Sequence, residues 1–235
     1  MLMRRSRTKV NSNDITILNM ETATTNCSVA LSINGITKVL KEDKSKSYSH
    51  AEKLHLFIEQ ALKEANISKE QLDAVAVSKG PGSYTGLRIG VSSAKGLCFA
   101  LNIPLISVPT LQSLALQANV QDGLVVPMID ARRMEVYTSS YTPVGKEQEP
   151  TRALILDENA FAKNLEETRV HFIGNGVMKF KELCKHENAV FLPEILPSAK
   201  EMSNLSYDKF RQGLFEDVAY FEPYYLKDFM VGAKK

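Results

Sequence analysis

The sequence predicts an α/β protein of two lobes, each built on a mixed β-sheet. Three observations carry this. Short apolar, β-branched runs alternate with helical periodicities from residue 15 to about 120. Asn34-Gly35, a strong two-residue hairpin signal, joins two of the earliest runs, so the sheet begins antiparallel. A polar, glycine-containing break at Gln121-Asp122-Gly123 precedes a fresh buried run, and a second lobe starts there.

Residues 15–20 form the first strand, and polar residues 21–26 turn the chain. Residues 28–33 return as the second strand, with Val29, Leu31 and Ile33 on one face, and 36–40 are the third. Residues 41–48 read as a charged loop. Ser49 and Glu52 make a capping box for a helix in which Ala51, Leu54, Ile58, Ala61, Leu62 and Ala65 share a face. Residues 72–78 are a buried strand, 80–86 a glycine-rich turn into a helix ending near 101, 104–107 a strand, and 110 to about 118 a helix. The order β-β-β-α-β-α-β-α fits a ribonuclease-H-like sheet.

In the second half, strands at 124–129 and 135–141 flank a turn at 130–133. The pattern then weakens through an acidic loop containing glycine and proline. Beyond it we expect a helix near 157–164, a strand at 170–173, a helix at 177–184, a strand at 189–192 and a helix at 199–212 stopped by Gly213. Glu222-Pro223 closes the regular structure. The predicted organisation is a basic, disordered extension (1–14), a first lobe (15–120), and a smaller second lobe (121–235) that resembles a shortened copy and whose last segment returns to the first.

The chain has 235 residues, 44% of them hydrophobic, enough for a core in each lobe. No apolar run approaches the roughly 18 residues of a membrane helix, so a soluble protein without membrane contact is expected. Cys27, Cys98 and Cys184 are odd in number, far apart and free of C-x-x-C pairing, which fits a reducing cytoplasm. Of 29 basic and 27 acidic residues, Arg4, Arg5, Arg7 and Lys9 stand against Asp14 alone in the tail, leaving a nearly neutral body. That body lacks the basic bias of a freestanding nucleic-acid binder. The tail has no apolar stretch of the kind a secretory signal needs.

The strongest local signal is Lys79-Gly80-Pro81-Gly82-Ser83-Tyr84-Thr85-Gly86-Leu87-Arg88-Ile89-Gly90, between a strand and a helix. It is neither a Walker loop, a G-x-G-x-x-G turn, nor a G-x-S-x-G elbow. Two readings stand: a tight structural turn, or a helix start offering N–H groups to an anion or partner. Gly86, Gly90 and Ala94 recur every fourth residue beside Ser93 and Leu97. Glycine inside a helix costs about 1 kcal/mol against alanine, so the stripe has a packing reason, internal or intermolecular. We take Gly86, Arg88, Gly90, Ser93, Ala94 and Leu97 as a partner surface. His50 and His55 lie about 140° apart around one helix, wrong for a shared metal, and read as surface or half-buried side chains. Arg132-Arg133 form either a solvated hairpin turn or a clamp for a phosphate or carboxylate.

Four blocks resemble the TsaB (YeaZ) family: Ile17-Leu18-Asn19-Met20-Glu21-Thr22-Ala23-Thr24 with Cys27-Ser28-Val29-Ala30-Leu31; residues Gly80 to Gly90; Asp130-Ala131-Arg132-Arg133-Met134-Glu135-Val136-Tyr137; and Glu222-Pro223-Tyr224-Tyr225-Leu226-Lys227. The second is almost letter for letter the family signature, with Gly80, Pro81, Gly82, Ser83, Tyr84 and Thr85 as its loop. The resemblance implies a fold of the actin/sugar-kinase/Hsp70 (ASKHA) type, two ribonuclease-H-like lobes with the second degenerate. It implies a partner, TsaD, a paralogue that transfers threonylcarbamoyl to adenosine 37 of tRNAs reading codons that begin with A. TsaE, a P-loop ATPase, joins them, tRNA is met only indirectly, and ATP or ADP has a place at or near the partner interface. Whether the isolated chain forms a homodimer stays open.

The family's Asp-Thr-Ser reads Glu21-Thr22-Ala23 here. In kinases of the fold that aspartate positions hydrated Mg²⁺ and phosphate, so Glu21 and Thr22 mark a vestigial phosphate site. The paralogue's metal-binding H-x-x-x-H corresponds to Thr110 and Leu114, and leucine binds no metal. The resemblance therefore implies no catalytic residue, metal or cofactor of its own, and a subunit that binds and activates TsaD. An ATP-dependent phosphotransferase of the sugar- or acetate-kinase class is the alternative, and a metallopeptidase a weaker one.

Overall fold

A computed structural model describes residues 13–45 and 50–227. Residues 1–12 of the expected tail and Ser49 of the expected capping box lie outside these.

The first sheet holds β1 (Thr16–Glu21), β2 (Cys27–Ile33), β3 (Ile36–Asp43), β4 (Ala74–Ser78) and β5 (Leu105–Val108), in the order β3-β2-β1-β4-β5. β1, β2 and β3 form an antiparallel meander, while β4 and β5 run parallel to β1. The β2–β3 turn takes positive φ at Asn34 (51°) and Gly35 (79°), as a two-residue hairpin turn demands. Helices α1 (His50–Glu64) and α2 (Tyr84–Leu101) cover one face: Leu54, Ile58 and Ala61 with Val91, Ala94 and Cys98 pack on Leu18, Met20, Val75 and Val77.

The second sheet repeats this plan. β6 (Leu124–Asp130), β7 (Glu135–Tyr141), β8 (Glu147–Ile155), β9 (Val170–Gly174) and β10 (Ala189–Pro193) lie in the order β10-β9-β6-β7-β8. β6 takes the place of β1, with an antiparallel meander on one side and parallel strands on the other. What is reduced is the helices: α4 (Ala162–Glu167) and α5 (Val177–Leu183) have 6 and 7 residues, where α1 and α2 have 15 and 18. A cluster of Phe161, Phe172, Phe180 and Phe191 fills the space beneath them. This is the two-lobed ASKHA arrangement.

β8 falls where the sequence reads as a loop. It is an edge strand, half exposed along most of its length, and it carries Pro150, which an edge tolerates because one side of the strand needs no ladder donor. Weak hydrophobic alternation is the consequence.

Each half lends its last helix to the other half's sheet. α3 (Thr110–Leu116) presses Leu111, Leu114 and Ala115 on Val125, Ile129, Tyr141 and Ile173 of the second sheet. α6 (Ala199–Gln212) presses Ala199 and Met202 on Ile17, Ala30, Ala74, Ala76, Ile106 and Val108 of the first. Both central sheets are thus buried on two faces, which explains the unbroken burial of β1 and β4. A boundary at 120/121 therefore divides the sheets but not these helices. Among the described residues no helix is long and apolar enough to cross a membrane.

The α6 seam also carries a polar network. Asn19, fully buried on β1, donates to Ser32 Oγ (3.1 Å) and accepts from Ser206 Oγ (2.6 Å). Ser206→Ala strips the donor from a buried amide oxygen and should lower unfolding free energy by about 1–3 kcal/mol in urea titration. An unchanged midpoint would mean that the seam is not tightly packed.

Candidate functional site

The glycine-rich loop carries the chain from β4 to α2 and lies against the β1–β2 turn. Ser83 N–H donates to Ala23 O (2.7 Å), and Ser83 Oγ caps the helix by accepting from Gly86 N (3.3 Å). A Cβ on Gly82 would overlap Ala23 O, one on Gly86 would overlap Thr22 O, and one on Gly90 would overlap Thr22 Oγ1. The two glycines of the stripe are there because Thr22, by its backbone at Gly86 and its side chain at Gly90, sits where their side chains would be.

This corrects the partner-surface expectation. Gly86, Gly90 and Ala94 are buried and face the protein's own turn and core. Ser93 is half-buried and shares a hydrogen bond with His55 (3.4 Å), Leu97 packs partly on the core, and Arg88 alone of the six is fully outward. Periodic small residues announce a close approach without saying what approaches. The outward side of α2 instead displays Phe99, 84% exposed, and the neighbouring α1 displays Leu56.

Glu21 and Thr22 are fully buried beneath α2, so the expected phosphate site is closed. Glu21 Oε1 accepts from Ala23 N (2.6 Å) and Ser78 Oγ (2.8 Å), while Oε2 has no partner among the described residues. Burial pushes its carboxyl up to about 7 against the opposing pull of the Ala23, Ser78 and Thr22 hydrogen bonds. Thr22 Oγ1 is likewise unpartnered. On the far side of the turn, His50 is buried, not half-exposed, and its Nε2 donates to Thr24 O (2.7 Å). Burial holds that imidazole below its ordinary pKa, against the opposing pull of the Thr24 hydrogen bond and Asp43.

The two positions matching the paralogue's metal ligands serve packing. Thr110 grips the loop twice: its N–H donates to Gly80 O and its Oγ1 accepts from Gly80 N, each at 3.1 Å. Leu114 lies wholly in the core between α3 and the second sheet.

The four sequence blocks, far apart along the chain, meet at one cleft between the lobes. It encloses about 450 Å³ and is walled by the loop from Pro81 to Thr85, the β1–β2 turn, the β6–β7 turn from Asp130 to Arg133, and the returning chain from Tyr224 to Lys227. The returning chain is well tied. Glu216 N–H donates to Leu105 O (2.9 Å), Lys95 Nζ donates to Ala219 O (3.1 Å) and Phe221 O (3.0 Å), and Tyr224 N–H donates to Lys79 O (2.7 Å). Tyr225 then lies on Tyr84 with ring centroids 5.0 Å apart, and Arg88 covers the Tyr84 ring at 5.3 Å while donating to its hydroxyl (3.0 Å). Lys227 pairs with Glu135 across the lobes. Sequence reasoning singled out residues 222–227 but had no means of seeing that they wall a site.

On the opposite wall the Asp130 carboxylate is shared by Lys179 Nζ (2.6 Å) and the Arg132 amide (2.6 Å), and Asn175 Oδ1 accepts from Asp130 N (3.0 Å). Arg132 and Arg133 follow at positive φ, 72° and 51°. The turn is closed as a hairpin by Ala131 N–H to Glu135 O (3.0 Å) and Glu135 N–H to Arg132 O (3.2 Å), and both arginine side chains are exposed at the cleft.

A family model described as TsaD, tRNA N6-adenosine threonylcarbamoyltransferase, matches residues 43–231. The tRNA threonylcarbamoyladenosine biosynthesis protein TsaB of Escherichia coli is 30% identical over 221 residues, covering 90% of this chain and 94% of that one. The Bacillus subtilis protein of the same name is 46% identical over 80 residues, 34% of this chain and 35% of that protein. Among solved structures, YeaZ from Pseudomonas aeruginosa superposes with a TM-score of 0.78 at 28% identity, over 90% of this chain and 100% of that one.

Two outcomes follow from the buried turn. Gly86→Ala drives a methyl into backbone, which cannot give way, and should destabilise by about 1–3 kcal/mol or more in urea titration; a neutral effect would place the turn farther from α2. Glu21 makes stability depend on pH. Its carboxyl titrates near 4.5 when unfolded and about 7 when folded, so the folded state binds more proton between those values and stability falls as pH rises through them. The loss reaches up to about 3 kcal/mol by pH 8. Glu21→Gln removes it, so the variant's melting temperature should gain on wild type between pH 5 and 8. A constant difference would refute the assignment.

Proposed function

The chain belongs to the TsaB (YeaZ) family of tRNA threonylcarbamoyladenosine biosynthesis proteins, and from that premise we propose that it is the subunit that binds and activates TsaD without performing the transfer itself. The observation carrying this reading is the closure of the β1–β2 turn. The acid that a phosphotransferase of this fold would turn toward its nucleotide is Glu21, and it is wholly buried with α2 packed over it by way of Gly86 and Gly90. The metallopeptidase reading is weakened in the same way, since Leu114 has no donor atom and Thr110 spends its hydroxyl on Gly80.

In the proposed role the outward side of α2, with Arg88 along it and Phe99 near its end, meets TsaD together with Leu56 of α1. Covering an apolar ring as exposed as Phe99 on association is favourable. TsaE joins the pair, tRNA is contacted through the partner, and the same face supports self-association when TsaD is absent. The nearly neutral body is consistent with indirect tRNA contact, and the three free, buried cysteines with a cytoplasmic location.

Depletion of the protein should lower threonylcarbamoyladenosine at position 37 of tRNAs reading codons that begin with A, measured by mass spectrometry of tRNA nucleosides. The wild-type gene restores it. Phe99→Asp should fail to restore it and fail to retain TsaD in a pull-down, with an unchanged melting temperature. Unaltered modification after full depletion would reject the pathway role, and normal TsaD capture by the Phe99 variant would reject the docking face.

A further inference from the structure

We propose that Tyr225 to Lys227 are a releasable strap across the two lobes, and that Arg88, outward on α2, sets whether the strap stays down. The link to Arg88 rests on the docking of TsaD at that face.

The returning chain is fastened in two different ways. As far as Tyr224 it is held by its own backbone: Lys95 Nζ binds the Ala219 and Phe221 carbonyls, and Tyr224 N–H donates to Lys79 O (2.7 Å). Beyond Tyr224 no backbone hydrogen bond to another described residue holds it. Tyr225 is kept in place by its ring on Tyr84, and Lys227 by its ammonium on Glu135. Both residues are exposed. A segment secured only by exposed side chains, beyond a backbone peg, opens locally while the rest of the fold stays closed.

The two side-chain contacts lie on different lobes. Tyr84 begins α2 of the first, and Glu135 begins β7 of the second. The strap walls one side of the cleft, whereas α3 and α6 tie the lobes elsewhere, each packed on the other half's sheet. With those helices in place, release of the strap lets the lobes part at the cleft without separating them.

Arg88 supplies the control. Its guanidinium lies over the Tyr84 ring (5.3 Å) and donates to the Tyr84 hydroxyl (3.0 Å), so it braces the ring on which Tyr225 rests. It is exposed and has no carboxylate partner among the described residues. A carboxylate brought by a docking partner pairs with a guanidinium more strongly than a neutral ring and hydroxyl do. With Arg88 drawn outward, Tyr84 is unbraced, Tyr225 loses its platform and Lys227 follows. The partner then binds the released form better than the latched one, which is the differential affinity that such a shift needs. Docking at α2 is thereby transmitted to the second lobe.

The chain contains no tryptophan, so Tyr225→Trp places a single fluorescent reporter in the strap. Acrylamide should quench it at least twofold more steeply once Arg88→Met is added, with the melting temperature unchanged. Spin labels on cysteines introduced at the exposed Lys69 and Lys163, one in each lobe, measure lobe spacing with Tyr225 intact, the three native cysteines being buried. Arg88→Met should shift or broaden that distance distribution. Equal quenching in the Arg88 variant, or a distance distribution that Arg88→Met leaves unchanged, overturns the proposal. Addition of TsaD to the full-length reporter chain should reproduce the steeper quenching. Capture of TsaD with no rise in quenching overturns the relay and leaves the docking face standing, whereas failure of the wild-type chain to capture TsaD overturns both.

Discussion

The contact on which the rest of the molecule depends is that of α2 with the β1–β2 turn. Gly82 in the loop and Gly86 and Gly90 on the helix leave room that Ala23, the Thr22 backbone and the Thr22 side chain fill. Interiors are packed as densely as crystals, so a stripe without Cβ atoms is a matched surface and not slack. Close packing at this point buries Glu21 and Thr22, leaves Glu21 Oε2 and Thr22 Oγ1 without a partner among the described residues, and raises the Glu21 carboxyl pKa. A turn that could have faced a ligand has become core.

Other features follow from that placement. With its inner face committed to the turn, α2 can offer only Arg88, Phe99 and their outward neighbours to a partner. The same helix begins at the cleft, so the loop from Pro81 to Thr85 walls the inter-lobe space while Thr110 clamps it from behind. The exchanged helices α3 and α6 keep the lobes in register, since each half buries one face of the other's sheet. The returning chain then closes one side of the cleft through Lys95, Tyr84 and Glu135. Family membership and the sealed turn are the two supports of the proposed helper role.

Much of the fold was legible because it rests on strong local signals. Asn34-Gly35 located a hairpin that the positive φ values require, and the helical spacing of Leu54, Ile58 and Ala61 matched the buried face of α1, although Ala51, read on the same face, is exposed. β8 escaped because an edge strand with proline and half-exposed side chains has no strict alternation to detect. The direction of the glycine stripe escaped for another reason: a helix pattern reports that something comes close, and a neighbouring helix and a strand turn leave the same mark. The cleft was present in the sequence only as four separate blocks. Their meeting depends on the sheet order and on the path of the C-terminal chain, and the paired positive φ at Arg132 and Arg133 depends on Asn175 and Lys179, some 45 residues away in the chain. No local pattern encodes either.

The central claim is that α2 and the β1–β2 turn form one closed unit, and amide hydrogen exchange measures this directly. The Ser83 amide, bonded to Ala23 O, and the Ala23 amide, bonded to Glu21, should exchange only as slowly as the central amides of β1 and β4, through global unfolding. Exchange at these two amides through a local opening, orders of magnitude faster than β1 with the sheet still protected, would contradict it and return Glu21 and Thr22 to the cleft as accessible groups.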